Sequence, residues 1–297
     1  MRPLVYGLPG YEALAIQLAA QTDAEPGQIS ARRFPDGEVY VRLLTPPPGR
    51  NVIIACGLDR PDEKFLEIFF AASVARELGA AGIGLVTPYL AYMRQDARFK
   101  AGEAITSRHF AGVLSQVLDW IVTVDPHLHR YASLDEIYPI RSAVAPAAPA
   151  ISRWLRANVE RPLVIGPDAE SAQWVERIAA GAECPHLVLT KQRHGDHDVE
   201  VSLPDIGRWP DRTPVLVDDI ISTARTMIAA ARQLRNAGMA RAPVCIGVHA
   251  LFAGDAFAAL SAAGAAHIVT CNTIAHPSNA IDVLPEICAA VRGLAAA

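Results

Sequence analysis

Short runs that are apolar on both faces alternate with longer Ala- and Leu-rich stretches along almost the whole chain, and no other feature restricts the fold as much. In the first half NVIIACG (51–57) precedes FLEIFFAASVARELG (65–79), IGLVTPY (83–89) precedes a helical stretch through HFAGVLSQVL (109–118), and WIVTVDPH (120–127) follows. The second half repeats the rhythm with PLVIGPD (162–168), AESAQWVERIAAG (169–181), HLVLTKQR (186–193), VEVSL (199–203), PVLVDDI (214–220), TMIAAARQLRNAG (226–238), APVCIGVHA (242–250) and HIVTCNT (267–273). A strand that is apolar on both faces needs cover on both, and strands joined through helices run parallel. The expected fold is therefore α/β, with two domains that are each a mostly parallel sheet flanked by helices. The Pro/Ala-rich stretch AVAPAAPAI (143–151) carries little charge and few large side chains; it either separates the domains or opens the helix containing ISRWLRANV. The expected domains are 1–145 and 146–297.

Composition narrows the class. The 297 residues exceed what one hydrophobic core organises, and 51% apolar with 20% charged residues is a globular mixture. A net charge of −4 argues against a general binder of nucleic acid or of membrane surfaces, but leaves room for a local basic pocket. Pro3, Gly7, Pro9, Gly10 and Glu12 interrupt any signal-peptide core, and no stretch approaches the roughly 20 apolar residues of a spanning helix. The five cysteines are scattered without metal-ligand spacing and read as buried free thiols in a reducing cytoplasm.

In open parallel sheets, ligands gather at the carboxyl ends of strands, so polar residues directly after apolar runs are the ones to weigh. VLVDDIISTART places Asp218 and Asp219 at a strand end, ahead of a hydroxyl-rich turn into a helix. Paired carboxylates accept bonds from vicinal sugar hydroxyls, and the free N–H groups of a helix start cradle a phosphate. The plainer reading is a pair of solvated carboxylates with Ser222 or Thr223 as a helix cap. FPDGE (34–38) reads equally as a hairpin turn. Arg94, with Arg98, Lys100 and Arg108 close by, forms a basic cluster suited to a polyphosphate. Lys191 and Arg193, two apart after a strand, can face one way.

VDDIISTART is similar to the phosphoribosyl diphosphate motif of the phosphoribosyltransferase fold. With FPDGE, RQDARFKAGEAITSR (94–108), TVDPHLH (123–129) and GPDAES (166–171) in order, the chain resembles ribose-phosphate pyrophosphokinases nearly end to end, and among them the shorter, archaeal-like members. The resemblance implies two phosphoribosyltransferase-like domains. On that resemblance the first, 1–145, is expected on the nucleotide side and in oligomerisation, and the second, 146–297, is expected to bind ribose phosphate. It implies a Mg²⁺-dependent transfer of the diphosphoryl group of ATP to the 1-hydroxyl of ribose 5-phosphate, giving phosphoribosyl diphosphate and AMP. By the same resemblance Phe34, Asp36 and Glu38 are expected against the nucleotide near a subunit interface, with Arg94, Gln95 and Asp96 completing the ATP site. The resemblance further implies that Asp218 and Asp219 hold the ribose hydroxyls, that Ser222, Thr223, Ala224, Arg225 and Thr226 hold the 5-phosphate, and that Lys191 and Arg193 stabilise the transferring group. His127 and Asp168 match positions that the family associates with metal, while His129 and His109 have no such match. The implied partners are ATP, ribose 5-phosphate and further copies of the chain in the cytoplasm, with no nucleic acid and no membrane.

The chain departs from the commonest family form where Ser222 replaces an aspartate and Ala224-Arg225 replaces two glycines. Two other functions therefore stay in view: a non-catalytic regulatory homologue, and a phosphoribosyltransferase that consumes phosphoribosyl diphosphate and has no need of the FPDGE and RQD segments.

Overall fold

The computed structural model describes residues 1–168, 171–194, 198–202 and 206–296. The chain divides into two compact units, Met1–Ala145 with Leu284–Ala297, and Pro146–Val283.

The first unit contains β1 (Leu4–Gly7), α1 (Glu12–Gln21), β2 (Glu25–Gly27), β3 (Ile29–Arg33), β4 (Val39–Leu43), β5 (Asn51–Ala55), α2 (Pro61–Glu77), β6 (Gly82–Thr87), α3 (Thr106–Leu114), β7 (Trp120–Val124) and β8 (Arg141–Ala145). Six of these strands form one sheet in the order β2-β1-β5-β6-β7-β8, and every neighbouring pair is parallel. The central strands are buried along most of their length, Val52–Ala55 and Ile83–Val86 among them, which is why their sequences show no polar face. β3 and β4 form a separate antiparallel hairpin. α2 starts earlier than its apolar run, at Pro61, because a proline in the first turn and Asp62 and Glu63 beside it all favour a helix start.

The second unit contains α4 (Ala148–Asn158), β9 (Pro162–Gly166), α5 (Ala172–Ala182), β10 (His186–Val188), β11 (Thr190–His194), β12 (Asp198–Ser202), β13 (Thr213–Ile221), α6 (Arg225–Asn236), β14 (Val244–Ala250), α7 (Ala256–Ala262), β15 (His267–Cys271) and β16 (Asn279–Ile281). Its parallel sheet runs β10-β9-β13-β14-β15-β16, and β11 and β12 pair antiparallel outside it.

The last helix, α8 (Leu284–Ala296), belongs to the first unit, so the expected 146–297 domain loses its final segment. The physical reason lies in its contacts. Arg141 donates to the Leu294 carbonyl at 3.0 Å and Arg292 to the Gln21 carbonyl at 2.8 Å, while Ile287, Cys288 and Val291 are buried. None of the five cysteines is in a disulfide; four are buried and Cys184 is half-buried.

Candidate functional site

The carboxyl edge of the second unit's sheet is built by β13 and its neighbour β9. Val215, Leu216 and Val217 are fully buried, and the next residues, Asp218 and Asp219, emerge half-buried where the strand leaves the core. The Asp219 N–H donates to Asp218 Oδ1 at 3.0 Å and the Ile220 N–H to Asp219 Oδ1 at 2.7 Å, so each carboxylate is pinned by the backbone that follows it. Asp168 follows β9 at the same edge, where the Ser171 N–H lies 3.3 Å from its Oδ1 and the Ser171 hydroxyl donates to its backbone oxygen at 2.5 Å. Ala169 and Glu170 of the GPDAES motif lie outside the described residues. Burial raises the pKa of the Asp218 carboxyl well above the ordinary carboxylate range, and the negative charges of Asp219 and Asp168 push it further the same way. Such a carboxyl gains from a nearby cation, and hard oxygen donors of this kind suit Mg²⁺.

Beyond β13 the chain passes through Ser222, half-buried, and Thr223, exposed, into α6. Ala224 stands at the helix entry with φ 57° and ψ 7°, in the left-handed region, whereas Arg225 is already the exposed first residue of the helix. Only one of the two positions that carry glycine in the commonest family form therefore needs the conformation glycine favours. For alanine that conformation costs about 1 to 2 kcal/mol. The Ala224 methyl, 6% exposed, packs with Ile221, Met227 and Ala231, and its burial returns about 0.8 kcal/mol. No side chain caps α6 and its first turn holds no acidic residue, which leaves the helix N–H groups and the positive end of the dipole for an anion. Lys191 and Arg193 lie on β11, paired with Val201 and Val199 of β12; only the backbone is described there, and Gly195 after them is outside the described residues.

In the first unit FPDGE is the tip of the β3–β4 hairpin, so the turn reading and the motif coincide. The Phe34 N–H donates to the Glu38 carbonyl at 2.8 Å, the Glu38 N–H to Asp36 Oδ1 at 3.1 Å, and Gly37 supplies the left-handed residue with φ 92°. The Arg32 guanidinium sits 4.5 Å from the Phe34 ring and 4.6 Å from Tyr40, leaving Phe34 39% exposed. Asp36 and Glu38 are exposed. Arg33 fastens the hairpin to α2 through the Glu63 carbonyl and, at 3.7 Å, the Glu67 carboxylate.

After β6, Arg94 and Gln95 are exposed, and Gln95 Oε1 accepts the Thr106 hydroxyl at 2.5 Å. Asp96, the third residue of the expected ATP segment, is engaged by the protein itself. It is 8% exposed, its carboxylate accepts Arg130 Nε at 3.2 Å, and its carbonyl accepts the Tyr131 hydroxyl at 3.2 Å. It fixes the loop that presents Arg94. Arg130 and Tyr131 stand just past TVDPHLH, where the local sequence carries no signal of this pairing. His127 is half-buried with the exposed His129 ring stacked on it at 3.6 Å, and His109 is exposed on α3.

Residues 4–117 match the family described as the N-terminal domain of ribose phosphate pyrophosphokinase, and residues 133–283 match the phosphoribosyl transferase domain. The chain is 34% identical over 285 residues to the ribose-phosphate pyrophosphokinase of Methanopyrus kandleri, covering 95% of this chain and 96% of that protein. It is 32% identical over 261 residues to that of Sulfolobus acidocaldarius, covering 86% and 88%. The crystal structure of phosphoribosylpyrophosphate synthetase from Mycobacterium smegmatis shares the fold with a TM-score of 0.86 at 21% identity, covering 100% of this chain and 99% of that one. With most of its length matched in sequence to both domains, the chain belongs to the ribose-phosphate pyrophosphokinase family.

Proposed function

We propose that the chain transfers the diphosphoryl group of ATP to the 1-hydroxyl of ribose 5-phosphate. The bond from the 1-oxygen to the β-phosphorus forms, the bond from that phosphorus to the oxygen of AMP breaks, and the hydroxyl proton leaves for water. The observation that carries the reading is the edge of the second unit, where two pinned carboxylates stand beside an uncapped helix start entered through Ala224. Asp218 and Asp219 accept bonds from the ribose hydroxyls, and the backbone from Ser222 to Thr226 holds the 5-phosphate. Phe34 offers its exposed ring to adenine, while Asp36 and Glu38 meet its polar edge. Arg94 and Gln95 hold ATP, with Asp96 acting through the loop it anchors. Lys191 and Arg193 neutralise charge on the transferring group, the main need in such a reaction.

The carboxylate chemistry of Asp168, Asp218 and Asp219 fits Mg²⁺, and His127 of the first unit is the further residue we read as metal-associated. Mg²⁺ supplies charge neutralisation on the phosphates. Exposed Leu66 and Phe70 on α2 support self-association. Five cysteines outside any disulfide support a reducing, cytoplasmic setting, and among the described residues no helix is long and apolar enough to cross a membrane.

The test supplies ATP, Mg²⁺ and ribose 5-phosphate and measures AMP and phosphoribosyl diphosphate. ADP as the sole nucleotide product rules out diphosphoryl transfer. Binding of ribose 5-phosphate without turnover identifies a regulatory homologue, and turnover only of phosphoribosyl diphosphate with a base identifies a phosphoribosyltransferase.

A further inference from the structure

Pairing between β13 and β14 continues past the end of β14. The Phe252 N–H donates to the Ile221 carbonyl at 2.9 Å and the Ala253 N–H to the Ser222 carbonyl at 3.0 Å. A trans peptide is planar, with its N–H antiparallel to its C=O. Holding these two carbonyls toward residues 252–253 therefore points the N–H groups of Ser222 and Thr223 to the opposite side. Two backbone donors of the loop have their directions set from outside it.

Phe252 makes this contact from a left-handed backbone, φ 36°, which a bulky residue keeps only where its surroundings impose it. Those surroundings are aromatic. Its ring lies 4.5 Å from the His276 ring and 5.2 Å from the Phe257 ring, and His276 and Phe257 are 5.1 Å apart. His276 is held in turn: its Nδ1 is 2.7 Å from the Ser278 hydroxyl and accepts the Ser278 N–H at 3.2 Å, and its own N–H donates to Asn279 Oδ1 at 3.0 Å. Phe252 also packs against the core cluster that contains Ile221, Ala224 and Met227. Two left-handed residues other than glycine, one within the loop and one beside it, thus share one hydrophobic seat.

We propose that Phe252, braced by His276 and Phe257, is a positioning residue for the ribose-phosphate loop, directing its backbone donors without touching the sugar. This rests on the reading of Ser222 to Thr226 given under Proposed function. The experiment compares wild type, Phe252→Ala and Phe252→Tyr in AMP release with ribose 5-phosphate and ATP varied separately, and in amide hydrogen exchange at residues 252 and 253. Phe252→Ala is expected to raise the KM for ribose 5-phosphate about tenfold, roughly 1.4 kcal/mol, to leave the KM for ATP unchanged and to speed exchange at both amides. Phe252→Tyr, which keeps the ring, restores all three. If the alanine variant does not fold, Phe252→Leu carries the same expectation. A lower melting temperature with both KM values unchanged makes Phe252 merely structural and overturns the proposal, as does unaltered exchange. A wild-type chain that makes no AMP sinks the functional reading instead, and the exchange result still decides whether Phe252 holds the loop.

Discussion

The two units follow one plan and balance charge differently. The strand order β2-β1-β5-β6-β7-β8 in the first corresponds to β10-β9-β13-β14-β15-β16 in the second, with the β3–β4 hairpin standing where β11–β12 stands. In each, the third strand across the sheet leads to a helix through a left-handed residue that is not glycine: Arg60 ahead of α2, Ala224 ahead of α6. In the first unit the carboxylate beside this entry, Asp59, accepts Lys64 Nζ at 2.7 Å and the Tyr11 hydroxyl at 2.6 Å. Gly57 makes room for that arrangement, since a Cβ there would lie 2.4 Å from the Tyr11 oxygen. In the second unit the charges of Asp219 and Asp168, both negative, raise the Asp218 carboxyl beyond what its burial does. Lys64 is the fourth residue of α2, and Ile228 is the fourth of α6. One side chain on the first helical turn separates the two: Lys64 gives Asp59 a cation, and at the matching position Ile228 offers an apolar side chain.

The contrast is tested first at the two hairpins, where the expected effect is largest. Lys191→Ala should lower turnover about 10²- to 10³-fold, the usual result of removing one well-aimed charge, with ribose 5-phosphate affinity little changed. An unaltered rate of AMP release would remove the distinction between the hairpins. Next comes the closed corner. Lys64→Met keeps the apolar stem but leaves Asp59 without its ammonium partner, and should cost about 1.5 to 3 kcal/mol in urea unfolding. A cost near zero would mean that the corner is not held by its ion pair.

The open edge gives a smaller effect with a defined sign. Because the folded pKa of Asp218 is raised above its unfolded value, the associated stability is present at low pH and is lost as pH rises through the folded pKa. Mg²⁺ should therefore raise the melting temperature more at alkaline than at acid pH. Asp218→Asn should raise it without metal, by about 2 to 4 °C for each kcal/mol relieved, and shrink the Mg²⁺ increment. A metal response independent of pH would break the argument. The smallest expected change is at the loop itself. Ala224→Gly relieves about 1 to 2 kcal/mol of backbone strain but gives up about 0.8 kcal/mol of methyl burial and a further 0.4 to 1 kcal/mol through the freer unfolded chain. Unfolding should shift by less than about 1 kcal/mol on these terms, and a larger gain would show that Ala224 is held under more strain than its packing offsets.

Sequence alone made the central strands legible, because β5, β6, β13 and β14 carry runs that are apolar on both faces. β1 and β16 escaped notice because LVYG and NAI are too short to show a period. The place of α8 could not be read either: its buried Ile287, Cys288 and Val291 suit any sheet face, and nearness along the chain assigned them to the second unit. Within the site, Asp218, Asp219 and the Ser222–Thr226 loop stood out through their position after an apolar run. Asp96 was found as part of a motif, but its engagement with Arg130 is a tertiary pairing with no local signature. Phe252 left no trace at all, since it acts through backbone bonds that no side-chain pattern records.

The return of α8 to the first unit bears on the order in which the protein matures during synthesis. Domains ordinarily complete in the order they leave the ribosome. Here a nascent chain that has reached Val283 already contains the whole second unit, while the first still lacks the helix that Arg141 will hold. The half made first is thus the half finished last.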